Sequence, residues 1–289
     1  MQGSHSATET RLEIQKLNTL PPISLVAQEL LAAISDSDLD LRHIASIIEQ
    51  DPALLARIIG LANSAYFGYP ERVTTAEDAI FKVLGLNTAR NLALSMVLSG
   101  PFNTAQCPAF RLDEYWTTAM VTAALAQRLA RHVTAEPRPH GGDAYLAGLL
   151  HSLGLLALVH LYPADMAGVF NPVKADAELP LAAREVRLLG ADHLQVGGWL
   201  ARKWHLPAFV VAVIENFDQT GYRGQHFPLV QLIGFCVRWA GARQDVGATV
   251  SLDELTVLGI AAADAEQALS ETLRRREEIV ALAKILAID

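Results

Sequence analysis

Two of the nine histidines in this 289-residue chain stand where their chemistry could matter. His151 lies inside an apolar run, Leu149-Leu150-His151-Ser152-Leu153-Gly154, and His193 closes the stretch Gly190-Ala191-Asp192-His193. Neutral imidazole ligates divalent transition metals and exchanges protons near neutral pH. Two imidazoles hold a metal weakly without a third ligand. The neighbour of His151 is Ser152, a hydroxyl where a carboxylate would be the better ligand. Asp143, Asp192 and Asp218 are further carboxylates, but no spacing draws them together. Ser152 and His151 do not form a nucleophile–base dyad, because adjacent helical residues point about 100° apart. His132, His140, His160, His205 and His226 show no ligand spacing, and the chain has no phosphate-binding loop, dinucleotide glycine fingerprint or GxSxG elbow. These residues therefore predict no catalytic group, no metal and no cofactor. His151 reads as a core histidine bonded to Ser152, a backbone carbonyl or water, and His193 as a residue at a helix N-terminus.

The elements that must position these residues read as helix almost throughout. Ile23, Val26, Leu30 and Ile34 recur at helical spacing after Pro21-Pro22. Asp51-Pro52 fits an N-cap and first helical position, ahead of Leu54, Leu55, Ile58, Ile59 and Ala62. Thr75-Ala76-Glu77-Asp78 fits a capping box, with Gly85 as a left-handed C-cap and Asn87 as cap of the next helix, through Leu98. A wetter segment, 100–108, then leads to helices predicted over 113–131, 143–161, 181–189, 193–203 and 207–216. The loop 134–142 should be exposed. An amphipathic helical region is expected over 251–289, with Glu271 and Arg275 paired at i,i+4. The pattern predicts an all-α fold.

Composition narrows the function classes. Hydrophobic residues make up 51% of the chain, enough for a substantial core, and the net charge of −8 argues against a general phosphate-backbone binder. Residues 75–84 and 87–98 outline a helix-turn-helix, but Arg90 is the only base-reading cation on the second helix, and Leu92, Leu94, Met96, Val97 and Leu98 look buried. Nucleic acid is therefore not the expected partner. Cys107 and Cys236 form neither a disulfide framework nor a CxxC knuckle, consistent with a reducing cytoplasm, where the protein is expected. MQGSHSATET has no secretory character. The apolar stretch 144–161 is interrupted by His151 and His160, so a central core helix is expected rather than a membrane span.

Several motifs occur together and in order: Leu20-Pro21-Pro22, Asp51-Pro52-Ala53-Leu54, Asn63-Ser64-Ala65-Tyr66-Phe67-Gly68, Ala79-Ile80 and Leu84-Gly85-Leu86. Trp116, Ala147-Gly148-Leu149-Leu150-His151, Gly190-Ala191-Asp192-His193, Gly197 and Trp204-His205-Leu206-Pro207 follow. This ordered set resembles the HDOD domain, the HD-related output domain of bacterial signalling proteins. The Asn63–Gly68 stretch with its following Ala-Ile and Leu-Gly is its most specific part. The resemblance implies an N-terminal helical bundle packed on an HD-like half. It spans residues 17–217, with 17–100 and 109–217 as the two halves, a tail over 1–16 and a helical extension over 218–289.

Set against catalytic HD relatives, the ligand set is depleted. Thr118 stands where the first His is expected, Ser152 replaces the Asp of the His-Asp pair, and Phe217-Asp218 stands where a histidine pair is expected. His151 and His193 remain. The resemblance thus implies a non-catalytic regulatory module with a pseudo-active site, often associated with response regulators. It would act through a signalling protein partner or a small ligand. A metal-dependent phosphohydrolase is the alternative and a DNA-binding regulator the third reading. Asn63, Tyr66, Phe67, Arg72 and Arg90, with Arg57, could form a partner-binding corner. The C-terminal helices could bury an apolar face in a homodimer.

Overall fold

A computed structural model describes residues 22–34, 40–171, 178–242 and 250–287. The expected helix start at Pro21, the tail 1–16 and the Leu20-Pro21 motif lie outside the described residues. Among the described residues the chain is all-α, with fifteen helices and no strand.

The N-terminal half begins with α1 (Leu25–Ala32), α2 (Leu41–Glu49) and α3 (Pro52–Ala62). Each is opened by a polar cap: Ser24, Asp40 and Asp51. Asp51 accepts from the amides of Ala53 and Leu54 at 2.9 and 3.1 Å, while Pro52 needs no donor at its position. The short α4 (Ala76–Asp78) is capped by Thr75 and continues as a π-helical segment, Ala79–Leu84. Gly85 ends it with a positive φ of 74° but an extended ψ of 157°, so the expected left-handed cap is replaced by a sharper bend into α5 (Leu86–Ser99). Asn87 lies inside α5 and caps nothing; Gly85 occupies the cap position.

Nearly all of α5 is interior, including Leu92, Leu94, Met96 and Leu98, with Val97 half-buried. The segment after it is drier than expected, because Phe102, Thr104 and Cys107 are buried.

α6 (Leu112–Ala130) is the central helix of the second half. α7 (Gly141–Leu150), α13 (Phe227–Ala242) and α15 (Arg276–Leu286) all pack against it. α8 (Leu153–Leu161) packs on α11 (His193–Lys203), which carries α12 (Ala208–Asn216). α9 (Pro163–Phe170) and α10 (Leu181–Leu189) pair beside them. A 3-10 segment, Leu252–Leu258, leads into α14 (Ala262–Arg274).

The single helix expected over 143–161 is two helices, broken at His151-Ser152. An 18-residue window of this stretch is 78% buried inside the protein, so its apolar character is accounted for by the core. The approach of helices is close enough to require glycine. A Cβ on Gly148 would come within 2.6 Å of Ala123 Cα, and one on Gly154 within 2.0 Å of the His193 carbonyl oxygen.

Residues beyond 217 are no appendage. Ile279, Leu282, Ala283 and Leu286 of α15 are buried against α6 and α3, so the apolar face expected to meet a second subunit is covered within the chain. Glu271 pairs with Arg128 at 3.7 Å instead of Arg275, because the helix breaks at Arg275, which bonds Glu278 at 2.9 Å. The two halves share one hydrophobic core, and Asn91 Nδ2 donates to the Gly142 carbonyl at 2.8 Å across them.

Candidate functional site

A cavity of about 430 Å³ opens on the second half. Thr118 on α6, His151 and Ser152 at the α7–α8 break, His193 at the start of α11, and Phe217-Asp218 after α12 all line it. Positions scattered over one hundred residues of sequence thus meet in one place.

The break orients His151. Its Nδ1 lies 2.8 Å from the Gly148 carbonyl, which can only accept, so Nδ1 carries the hydrogen and Nε2 is left with a lone pair. Burial pushes the His151 pKa down, the Gly148 bond opposes this, and the charge of His193 lowers it further, to about 4. His151 is thus neutral across the physiological range. Of the partners expected for His151, it is a backbone carbonyl that is seen, and the Ser152 hydroxyl pairs with that of Tyr115.

His193 is positioned by the α10–α11 turn. Gly190 ends α10 in the left-handed region (φ 77°, ψ −2°), a conformation glycine adopts without strain, and Asp192 then caps α11 by accepting from Gln195 N at 2.8 Å. Glu185, fully buried on α10, binds the next residue twice: its Oε2 accepts from the backbone amide of His193 at 2.9 Å and from its Nδ1 at 2.6 Å. Burial lowers the His193 pKa, but the hydrogen bond and charge of Glu185 outweigh it, helped by Asp192 and Asp218, and the net shift is upward. Glu185 Oε1 has no hydrogen-bond partner. Sequence reasoning passed over Glu185. The signal was available: Leu181 and Leu189 flank it at i−4 and i+4, making it a lone charge on an apolar helical stripe.

Phe217 stands against both imidazoles. Its ring centroid is 5.1 Å from that of His151, edge to face at 89°, and 6.2 Å from that of His193. An apolar ring therefore stands against both imidazoles at the position where the resemblance to catalytic HD proteins calls for a histidine donor. Ser152 and Tyr115 satisfy each other, and Asp218 lies exposed at the mouth. Among the described residues no three His, Cys, Asp or Glu side chains converge to hold a metal ion. The donor set does not fit the metal that HD relatives imply.

The proposed partner corner is built differently. Asn63 Nδ2 donates to the Ile59 and Val73 carbonyls at 3.0 and 2.8 Å, and its Oδ1 accepts from Val73 N at 2.9 Å. Tyr66 and Phe67 are half-buried and meet edge to face at 5.0 Å. Arg275 lies 3.9 Å over the Tyr66 ring and also donates to the Tyr66 carbonyl. Arg72 is exposed. Arg90 does not share this surface: it is buried, and Nη1 donates to the Ala33 carbonyl at 3.1 Å, holding the end of α1.

The fold and cavity define an all-helical, HD-like domain. The family model for the HDOD domain matches residues 20–220, well over half of the chain, and the protein belongs to the HDOD domain family. An uncharacterized protein of Treponema pallidum (strain Nichols) is 27% identical over 221 residues, covering 76% of this chain; the chain spans only 42% of that relative's length. A solved structure of a candidate signal transduction protein from Marinobacter aquaeolei VT8 superposes with a TM-score of 0.86 at 24% identity, covering 98% of this chain and 66% of the other. An HDOD domain protein of unknown function from Geobacter sulfurreducens gives 0.78 at 20% identity, covering 97% of each chain. A candidate phosphohydrolase from Shewanella amazonensis SB2B gives 0.75 at 25% identity, covering 98% of this chain and 100% of the other.

Proposed function

We propose that this HDOD protein is a non-catalytic regulatory module that uses the HD-like cavity as a binding pocket for a small ligand. The observation that carries this reading is Phe217, whose ring packs on His151 and His193 where a hydrolase needs a further metal donor. Metal-assisted hydrolysis depends on a cation that activates water and neutralises phosphate charge, and that requires a complete donor set. The shared core and the Asn91–Gly142 bond give a bound ligand a physical route to the N-terminal half, where a protein partner would read the outcome.

The test is elemental analysis of protein dialysed against trace divalent metals, followed by assay on p-nitrophenyl phosphate and bis(p-nitrophenyl) phosphate with added Mn²⁺, Fe²⁺, Zn²⁺ or Ni²⁺. The expected result is no stoichiometric metal and no hydrolysis above the metal-only blank. Ser152→Asp with Phe217→His, which returns two donors, should gain metal where the natural chain does not. Metal-dependent turnover abolished by His151→Ala would overturn the proposal and bring the phosphohydrolase reading forward.

A further inference from the structure

The chemistry of the cavity selects among ligands. A phosphate-bearing ligand needs a cation or a row of free amides. Among the described residues Arg111 is the only Lys or Arg lining the cavity, and it is already paired: Nε and Nη2 bond the two carboxylate oxygens of Asp113 at 3.2 and 3.0 Å, and Nη1 lies 3.8 Å from Glu114. Two carboxylates, Glu114 and Asp218, line the same cavity. A third, Glu185, stands behind His193 with an unpaired buried oxygen. Among the described lining residues an incoming phosphate would meet two carboxylates, and the imidazole that favours its charged form, His193, is already engaged by Glu185.

The walls are aromatic, and the polar groups include acceptors that a ring N–H can reach. Phe110 and Phe170 lie 5.6 Å apart, and Phe110 lies 6.1 Å from Tyr115. Phe217 closes the histidine side. Aromatic walls favour flat rings, which stack or pack edge on. His151 leaves its Nε2 as an acceptor, and Asp218 is an acceptor at the rim. A cavity of about 430 Å³ lies at the small end of the range for ligand sites and suits one or two fused rings.

We propose that this cavity binds an uncharged, flat nitrogen heterocycle carrying N–H donors, the chemistry of a free nucleobase, and discriminates against its phosphorylated forms. The proposal rests on the ligand-pocket reading above and deepens it. The fold would then retain the place of a phosphoester site while rejecting the phosphate.

The experiment is calorimetric titration of the full chain with adenine, adenosine 5′-monophosphate and inorganic phosphate, with benzimidazole as a second neutral ring. Adenine or benzimidazole should bind, and the monophosphate should bind about tenfold more weakly or worse, the cost of one like-charge contact. Ala182→Trp fills the cavity from the half-buried face of α10 and should abolish binding without changing the helical content or melting temperature. Asp218→Asn should narrow the gap between adenine and its monophosphate. The proposal falls if the monophosphate or phosphate binds as tightly as the neutral rings. It falls equally if neither ring binds at millimolar concentration, or if Ala182→Trp leaves ring binding intact. Hydrolysis of bis(p-nitrophenyl) phosphate by the same preparation would instead overturn the non-catalytic reading, so the two failures are distinguishable.

Discussion

The Asn63–Gly68 corner and the HD-like cavity are the two most motif-rich parts of the chain, and they treat their polar groups in opposite ways. At the corner, the Asn63 amide uses both its ends on backbone groups of Ile59 and Val73. At the cavity, Glu185 behind His193 keeps a buried oxygen without a partner, and the lining His151 keeps a nitrogen lone pair. A buried polar group left unpaired costs free energy that a satisfied one does not. The corner spends its polar groups on its own backbone, whereas the cavity leaves the His151 nitrogen available to a ligand on the proposed reading. A specific sequence motif can mark the first kind of region as readily as the second.

The sharpest way to break this comparison is to disturb the support beneath the cavity. Gly154→Ala places a methyl 2.0 Å from the His193 carbonyl and 2.5 Å from Gly197 N, so α8 and α11 must separate. Urea denaturation should show a loss of about 3 kcal/mol or more. A smaller loss would mean that the helices slide freely and that the cavity is softer than its packing implies.

Asn63→Ala should cost about 2 kcal/mol, because it strands the amide and carbonyl of the buried Val73. It should leave binding in the cavity unchanged. A binding defect at preserved stability would move function to the corner and reverse the assignment.

Acidification sharpens the contrast. The folded His151 resists protonation down to about 4, whereas the unfolded chain takes up the proton near its ordinary value of 6.5. Stability from this residue therefore falls as pH drops through that window. His193 has the opposite sign: its pKa is raised, so its contribution is complete below 6.5 and is lost as pH rises through the raised value. Between pH 7 and 5 the natural protein should lose about 2 kcal/mol relative to His151→Gln. A constant gap between their urea midpoints would show that His151 titrates as if in water.

The smallest expected effect is at the edge of the corner. Arg275→Ala removes the cation over Tyr66 and should cost about 1 kcal/mol. Salt should weaken the contact only slightly, since most of the attraction is to the ring face. No loss at all would detach the C-terminal helices from the corner energetically.

Local chemistry was legible in the sequence because its partners lie within a few residues. The capping side chains of Asp51 and Thr75 sit where their sequence neighbours predict, as does the wholly helical character. Contacts between distant segments were not legible. The Arg275–Tyr66 bond spans 209 positions, and no periodicity encodes it. Arg90 reads as a surface cation until α1 folds over it and offers the Ala33 carbonyl. The break at His151-Ser152 is hidden within an apolar run that would suit one long helix, because the packing of Gly154 on α11 is a tertiary demand. The resemblance named Thr118, Ser152 and Phe217 as replaced positions, but only the fold shows Phe217 as a ring against two imidazoles.

The contact between Gly154 and the His193 carbonyl also has a mechanical consequence. Backbone pressed on backbone leaves no soft side chain to absorb a displacement, so α8 behaves as a pushrod anchored at the cavity floor. Its nine residues reach about 13 Å at the helical rise. At the far end His160 Nδ1 accepts from the amide of Asn103, in the segment joining the two halves, while Phe102 beside it packs on Trp204. A shift of the floor would be delivered to that joint as a stroke along the rod, with the linker as its load.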